Sequence, residues 1–319
     1  MKARKLVPFL SKDKSLFAAY ALDNAAVGIG YNCSSGSNIR ALGESLERYW
    51  SICGPSEKAE IFSLNKFKKE SSIICVGGEE NIDGYDTSGT AIHPNLSRSI
   101  LNGIYEFCER QSLKLYWHYG TSSRIIDKTF LDIPQNILNG RIELREISVF
   151  PGVYVVICIY QGSGKVKYSV GASAAGNIWK AAQKSIYECS QAFLLMEDNI
   201  SRILMGKPLM DSIQENYINN NIPSTFEKWI SNKPEKDICS IYIDYGLEDI
   251  LEFFAYLDDA PYIMLDRIYF EGKEYYVTRV FSDLWFSGIL DRDYSISERN
   301  RYINSLSKTC NNYIDMPFG

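Results

Sequence analysis

"RALGESLERYW", residues 40–50, carries two glutamates three apart, Glu44 and Glu47, with Arg48 directly after the second. At ~100° per residue, positions i and i+3 share one face of a helix. A single such pair is ordinary on a solvated helix. Two further stretches repeat it: Ile104-Tyr105-Glu106-Phe107-Cys108-Glu109 and Ile186-Tyr187-Glu188-Cys189-Ser190-Gln191. Each has an apolar residue two before the first Glu, which anchors the helix, and a carboxylate or carboxamide three after it. The acids then point away from that anchor.

Small or neutral residues border these acids: Ala41 and Gly43 in the first stretch, Ser99, Asn102 and Gly103 before the second. A purely solvated face more often intersperses Lys with Glu for i,i+4 pairing. Convergence of the three helices would gather the carboxylates into one strongly negative site that needs cations. Hard oxygen ligands suit Mg²⁺, and Mg²⁺ commonly brings phosphates. Arg48, Arg110 and Lys184, near the same faces, suit phosphates or balance the acids.

Working outward, the periodicity predicts helices from about Asn38 to Ser51, Asn95 to Tyr116 and Asn177 to Met196. Ile39, Leu42, Leu46 and Tyr49 form the inward stripe of the first; Ile100, Leu101, Ile104 and Cys108 face inward in the second. Strands are expected at residues 25–31, 71–78, 141–150, 154–161, 165–174, 238–245 and 274–282, with a turn at Pro151-Gly152 and a helix over 248–259. Residues 79–94 read as a loop, 197–235 as short helices and loops, and the chain from 291 on as a polar tail ending "NNYIDMPFG".

Composition narrows the function. The chain has 319 residues, 45% apolar and 23% charged, with a net charge of -5. It is ample for a real core, and its acidic balance argues against nucleic acid or an anionic membrane as partner. Eight cysteines at irregular spacing form no CxxC pair and read as reduced core residues. Lys12, Asp13 and Lys14 interrupt the N-terminal apolar run, and no stretch reaches the ~18 apolar residues of a spanning helix, so a cytoplasmic protein is expected. Only two histidines, His93 and His118, are present, which disfavours a His-based triad. No GxxxxGK[ST] occurs, and "GIG" at 28–30 lacks the third glycine of a dinucleotide fingerprint.

"IRALGESLERYW", "SGTAIHPNLSRSILNGIYEFCERQSLKLYW" and "YSVGASAAGNIWKAAQKSIYECSQAF" resemble, in order, the three ATP-binding segments of YcaO-domain proteins. The likeness covers about residues 25–200, and more loosely "EYYVTRVFSDLWF"; the second segment looks closest to the D subunit of microcin-type azole synthetases. The resemblance implies a single mixed α/β domain over 1–319, with helices on mixed sheets, neither Rossmann nor P-loop. It implies an enzyme that uses ATP and Mg²⁺ to phosphorylate a backbone amide oxygen of a precursor peptide after a neighbouring Cys, Ser or Thr has added to that carbonyl. Phosphate loss then leaves a thiazoline or oxazoline ring. An amide oxygen is a poor leaving group, and phosphoryl transfer asks mainly for positioning and charge neutralisation.

Carried over by motif, Glu44, Glu47, Glu106 and Glu109 hold Mg²⁺, and Glu188 and Gln191 complete the site. Arg48, Lys184 and, less directly, Arg279 meet phosphate, and Asn102 contacts nucleotide or is simply a polar helix-face residue. Many relatives have Arg at the Lys184 position and Ser at the Ala41 position. Azole-forming members often end in a proline-rich tail whose carboxylate enters the active site; here Pro317 and the terminal Gly319 stand in that place, and a Gly carboxylate remains fit to act as a base. No peptide-recognition domain is evident, so substrate capture is expected from an E1-like, peptide-binding partner subunit, with a flavin-dependent dehydrogenase completing the complex. Thioamide or amidine formation, and a non-catalytic scaffold subunit, stay open as alternatives.

Overall fold

The computed structural model describes residues 2–5, 16–21, 27–32, 37–56, 58–65, 68–69, 87–127, 140–205, 235–236, 243–286 and 299–306. They divide into two compact units, the first taking described residues up to Gln111 and from Tyr245 on, the second those from Ser112 to Asp244.

The first unit holds two antiparallel sheets. Strands β1 (Lys2–Lys5), β2 (Leu16–Ala21) and β3 (Val27–Asn32) form one, in chain order. The second has the order β5-β4-β12-β13-β6, from β4 (Glu60–Ser63), β5 (Lys68–Lys69), β6 (Thr90–His93), β12 (Tyr262–Phe270) and β13 (Lys273–Phe281). Its central hairpin turns through Glu271 and Gly272, both left-handed (φ 48° and 73°), as a two-residue hairpin requires.

Helix α1 (Ser37–Cys53) lies against β2 and β3 and reaches β6. Leu46 and Trp50 enter a core with Ile61, Ile92, Met264, Val277 and Phe281 of the five-stranded sheet. Burying such side chains yields about 1.5–3 kcal/mol each, and this stripe seats the helix. Gly54 ends it in the left-handed conformation (φ 77°), returning its N–H to the Trp50 carbonyl at 2.8 Å. Tyr49, expected to face inward, is 44% exposed; Trp50 takes the buried place instead.

Helix α2 (Leu96–Lys114) starts where the sequence indicates: Asn95 Oδ1 accepts from the Arg98 N–H at 3.0 Å. Ser99 Oγ donates to the Ala91 and Tyr276 carbonyls and accepts from Thr278 Oγ1, fastening α2 to β6 and β13. At Gly103 a Cβ would stand 2.9 Å from Thr278 Cγ2, so only glycine permits this approach. Beyond Lys114 the helix widens into a π-helical turn, Leu115–Tyr119, whose five side chains are all buried. Two short helices also lie among the described residues of the first unit: α4 (Leu247–Ala255) and α5 (Arg301–Ser305).

The second unit is built on a sheet of order β10-β9-β8-β7-β11. Its strands are β7 (Ser123–Ile125), β8 (Gly140–Glu146), β9 (Tyr154–Gly162), β10 (Tyr168–Ala175) and β11 (Glu235–Lys236); among the described residues only the β7–β11 pair is parallel. Helix α3 (Ile178–Leu204), capped by the Asn177 side chain, covers β10 and β9. Gly171 makes this close: a Cβ there would lie 2.0 Å from the Cys189 N. Ser169 Oγ donates to the Cys189 carbonyl at 2.7 Å beside it.

The helices over 38–51, 95–116 and 177–196 are thus present, as are the strands from 141 to 174 and at 274–282, all with shifted ends. The strand expected at 71–78 lies outside the described residues; of the one at 238–245, residues 243–245 are described and are not strand. Strand β6 falls where a loop was expected, and β12 was not anticipated. Cys108, Cys158 and Cys189 are buried free thiols, whereas Cys53 is exposed, against the core reading. Among the described residues no helix is long and apolar enough to cross a membrane.

Candidate nucleotide and metal site

Helices α1 and α2 repeat one local design. On α1, Arg48 Nη2 donates to Glu44 Oε1 at 2.6 Å; on α2, Arg110 Nε donates to Glu106 Oε1 at 2.8 Å. Both are i,i+4 ion pairs, half exposed, of a kind worth a few tenths of a kcal/mol. The second acid of each motif goes inward. Glu109 is 9% exposed. Glu47 Oε1 accepts the Ile92 N–H at 3.0 Å, satisfying a donor on the edge strand β6. The sequence reading turned all these acids away from the core; the structure turns only the first of each pair outward.

Glu47 is the electrostatic focus. Burial pushes its carboxyl up to about 8; the Ile92 N–H pulls it back, the Glu106 and Glu44 carboxylates push it further up, and Arg48 offsets part of this. That mutual repulsion brings the α1 and α2 acids into one field. Among the described residues no three His, Cys, Asp or Glu side chains are arranged to hold a metal ion. Glu44 and Glu106 are paired with their arginines, and Glu47 accepts a backbone N–H. In chemistry the donor set fits Mg²⁺: all oxygen, mutually repelling, with one member whose charge is costly until a cation arrives.

The other expected residues stand as follows. Asn102 is exposed on α2, one residue before the tightly packed Gly103. Arg279 is half-buried on β13, opposite Thr90 of β6 and Met264 of β12. In the second unit, Glu188 is exposed on α3, with Lys184 and Gln191 half-buried. Pro317 and Gly319 lie outside the described residues. The sequence reading missed Asp266, a buried carboxylate on β12 that takes hydrogen bonds from Trp50 and Ser56. The one available signal was an acid interrupting the apolar run "YIMLDRIYF".

The family described as YcaO cyclodehydratase, ATP- and Mg²⁺-binding, matches residues 75–264, more than half of the chain. The match takes in α2 and α3 and begins after α1. The chain is 25% identical over 261 residues to the microcin B17-processing protein McbD of Escherichia coli, covering 75% of this chain and 64% of that relative. Among solved structures, it is similar to the E. coli microcin synthetase McbBCD complex with pro-MccB17 bound, with a TM-score of 0.70 at 19% identity over 90% of this chain and 89% of the other. It is also similar to the YcaO protein of Methanopyrus kandleri bound with AMPPCP and Mg²⁺, with a TM-score of 0.59 at 13% identity over 100% and 91%. At these identities the structural likenesses establish the mixed α/β fold.

Proposed function

The chain belongs to the YcaO family, and from that premise we propose that it is an ATP- and Mg²⁺-dependent cyclodehydratase subunit that forms azoline rings in a precursor peptide. The observation that carries this is the repeated Glu-x-x-Glu-Arg geometry of α1 and α2, with Glu47 driven up to about 8 by burial, Glu106 and Glu44. A family described as ATP- and Mg²⁺-binding gives those acids a purpose.

Glu44, Glu47, Glu106 and Glu109 hold Mg²⁺ in this reading. The ion, when bound, neutralises phosphate charge during transfer to the amide oxygen. Glu44 and Glu106, now paired with Arg48 and Arg110, would exchange those partners for the ion, and Arg48 would then be available to phosphate. Asn102 and Arg279 are assigned to the nucleotide in the first unit. Lys184, Glu188 and Gln191 are assigned to nucleotide binding on the third motif alone. Pro317 and Gly319 carry the C-terminal carboxylate proposed as base.

The relative McbD processes microcin B17, and the McbBCD structure holds a three-subunit synthetase with its pro-MccB17 peptide. By that likeness, the partners proposed here are a precursor peptide, an E1-like peptide-binding subunit and a flavin-dependent dehydrogenase, in the cytoplasm.

Calorimetric titration of ATP into the full chain, with and without Mg²⁺, tests the site, with Glu44→Gln/Glu109→Gln as control. Mg²⁺-dependent binding lost in the control is the expected result; equal binding by the control refutes the metal assignment. Deleting Pro317 to Gly319 should suppress ring formation by the assembled complex while sparing nucleotide binding; a truncated chain that still cyclises peptide removes the tail from the reaction.

A further inference from the structure

Asp266 is 6% exposed on β12. A buried carboxylate must be matched by donors, and here four converge on it. Trp50 Nε1 donates at 2.8 Å, the Ser56 N–H at 2.9 Å, Ser56 Oγ at 2.5 Å and the Arg267 N–H at 2.8 Å. Three of the four come from the last turn of α1 and the residues just after it, more than 200 positions away in sequence.

Strand register gives this grip a direction. Asp266 pairs with Val277, and Val277 pairs with Ile92, so Asp266 and Ile92 occupy one row across the sheet. Two strands apart is about 10 Å at ~4.8 Å per strand. Helix α1 and the residues just after it are hydrogen-bonded at both ends of that row: Trp50 and Ser56 to Asp266, and Glu47 to the Ile92 N–H. Trp50 follows Glu47 by three residues and Glu47 follows Glu44 by three, so the rotation that delivers Trp50 to Asp266 also sets where both acids point.

We infer that Asp266 is the positioning residue for the acidic pair of α1, holding the helix in the rotation that presents Glu44 and Glu47 to Mg²⁺ and nucleotide. The inference rests on the metal-site reading above. A group that only held the core together would affect melting and nothing else.

The test uses the full chain with Asp266→Asn and, as a milder second variant that leaves the carboxylate in place, Trp50→Phe. ATP is titrated with and without Mg²⁺, well below the melting temperature. Backbone amide exchange is followed over residues 44–56 and 87–95. Expected for Asp266→Asn are faster exchange in both segments and a loss of about tenfold in the Mg²⁺-dependent gain in ATP affinity, as for groups behind metal ligands. Trp50→Phe shifts both readouts the same way by less. A lowered melting temperature with the Mg²⁺ gain intact in both variants overturns the inference while the function stands. Unchanged exchange over 44–56 overturns it as well. If the wild-type chain shows no Mg²⁺-dependent binding, the proposed function fails and takes the metal role of Asp266 with it; faster exchange in the variants would then leave only the anchoring of α1.

Discussion

Helices α1 and α3 carry similar sequence patterns, both pack on an apolar core, and they differ in what else seats them. α1 meets its five-stranded sheet through polar fasteners, Glu47 on Ile92 and Trp50 on Asp266, around an apolar core. α3 meets β10 through backbone proximity, with Gly171 beneath Cys189 and the small residues Ala181, Ala182, Ser185 and Ser190 buried along its face. The acids differ accordingly. Glu44 and Glu106 each have Arg four residues on, whereas Ala192 stands four after Glu188, and the neighbouring cation is Lys184, four before. The inward acids, Glu47 and Glu109, lie on α1 and α2, and the exposed Glu188 on α3. Three similar motifs therefore do not predict three similar environments.

The strongest way to break this contrast is to crowd α3. Gly171→Val should destabilise the protein by about 3 kcal/mol or more, because the new Cβ meets backbone atoms of residues 185–189 that cannot move aside singly. Urea denaturation reads this, and near-wild-type stability would mean that α3 lifts off β10 easily.

Next in size is Glu47→Gln. The amide keeps an oxygen for the Ile92 N–H but removes the capacity to ionise, which burial, Glu106 and Glu44 oppose until a cation is bound. Affinity for Mg²⁺-ATP should fall by at least about a hundredfold, beyond the effect of losing a group behind a ligand, with a melting temperature no lower than wild type. Lost stability with retained binding would make Glu47 a structural acid.

Glu188→Gln sharpens the comparison from the other side. The residue is exposed on α3, so stability should move by less than about 0.5 kcal/mol. If the third motif serves nucleotide, affinity for Mg²⁺-ATP should drop about tenfold, the order of one coupling of about 1.4 kcal/mol. Unaltered affinity would confine the site to α1 and α2.

The smallest effect concerns pH. Burial alone would raise the carboxyl of Asp266, but hydrogen bonds from Ser56, Trp50 and Arg267 hold it below its ordinary 3.8. A depressed carboxylate contributes stability that is present above the unfolded value, about pH 4, and is lost as pH falls through the lower folded value. The acid limb of the melting curve should therefore be shallower in Asp266→Asn than in wild type below about pH 4. Parallel limbs would mean that the carboxylate is not held in its charged form.

Much of the site was legible because its parts are local. Helical period, helix starts near Asn95 and Asn177, and the three acid motifs are read from neighbours within a turn or two, and each helix was found there, with both Asn side chains serving as caps. The YcaO assignment followed from their order, and the family match over 75–264 agrees with it. Strand β6 was not legible because four residues inside a Gly- and Asp-rich stretch show no alternation. Strand β12 was hidden by Asp266: a buried acid in mid-strand breaks the pattern by which a half-buried strand is recognised.

The amino-acid sequence alone determined that three helices carry a Glu followed three residues on by a carboxylate or carboxamide, that no P-loop serves them, and that Arg48 and Arg110 stand one turn from Glu44 and Glu106. Tertiary structure alone decided which acids turn inward, that Glu47 feels Glu106, and that Asp266 grips the end of α1 across more than 200 residues of chain. Spacing along a helix is set by bonds between neighbours and survives in any context. The charge that a carboxylate keeps depends on what folding brings within a few ångströms of it, and that is written in no single stretch of the chain.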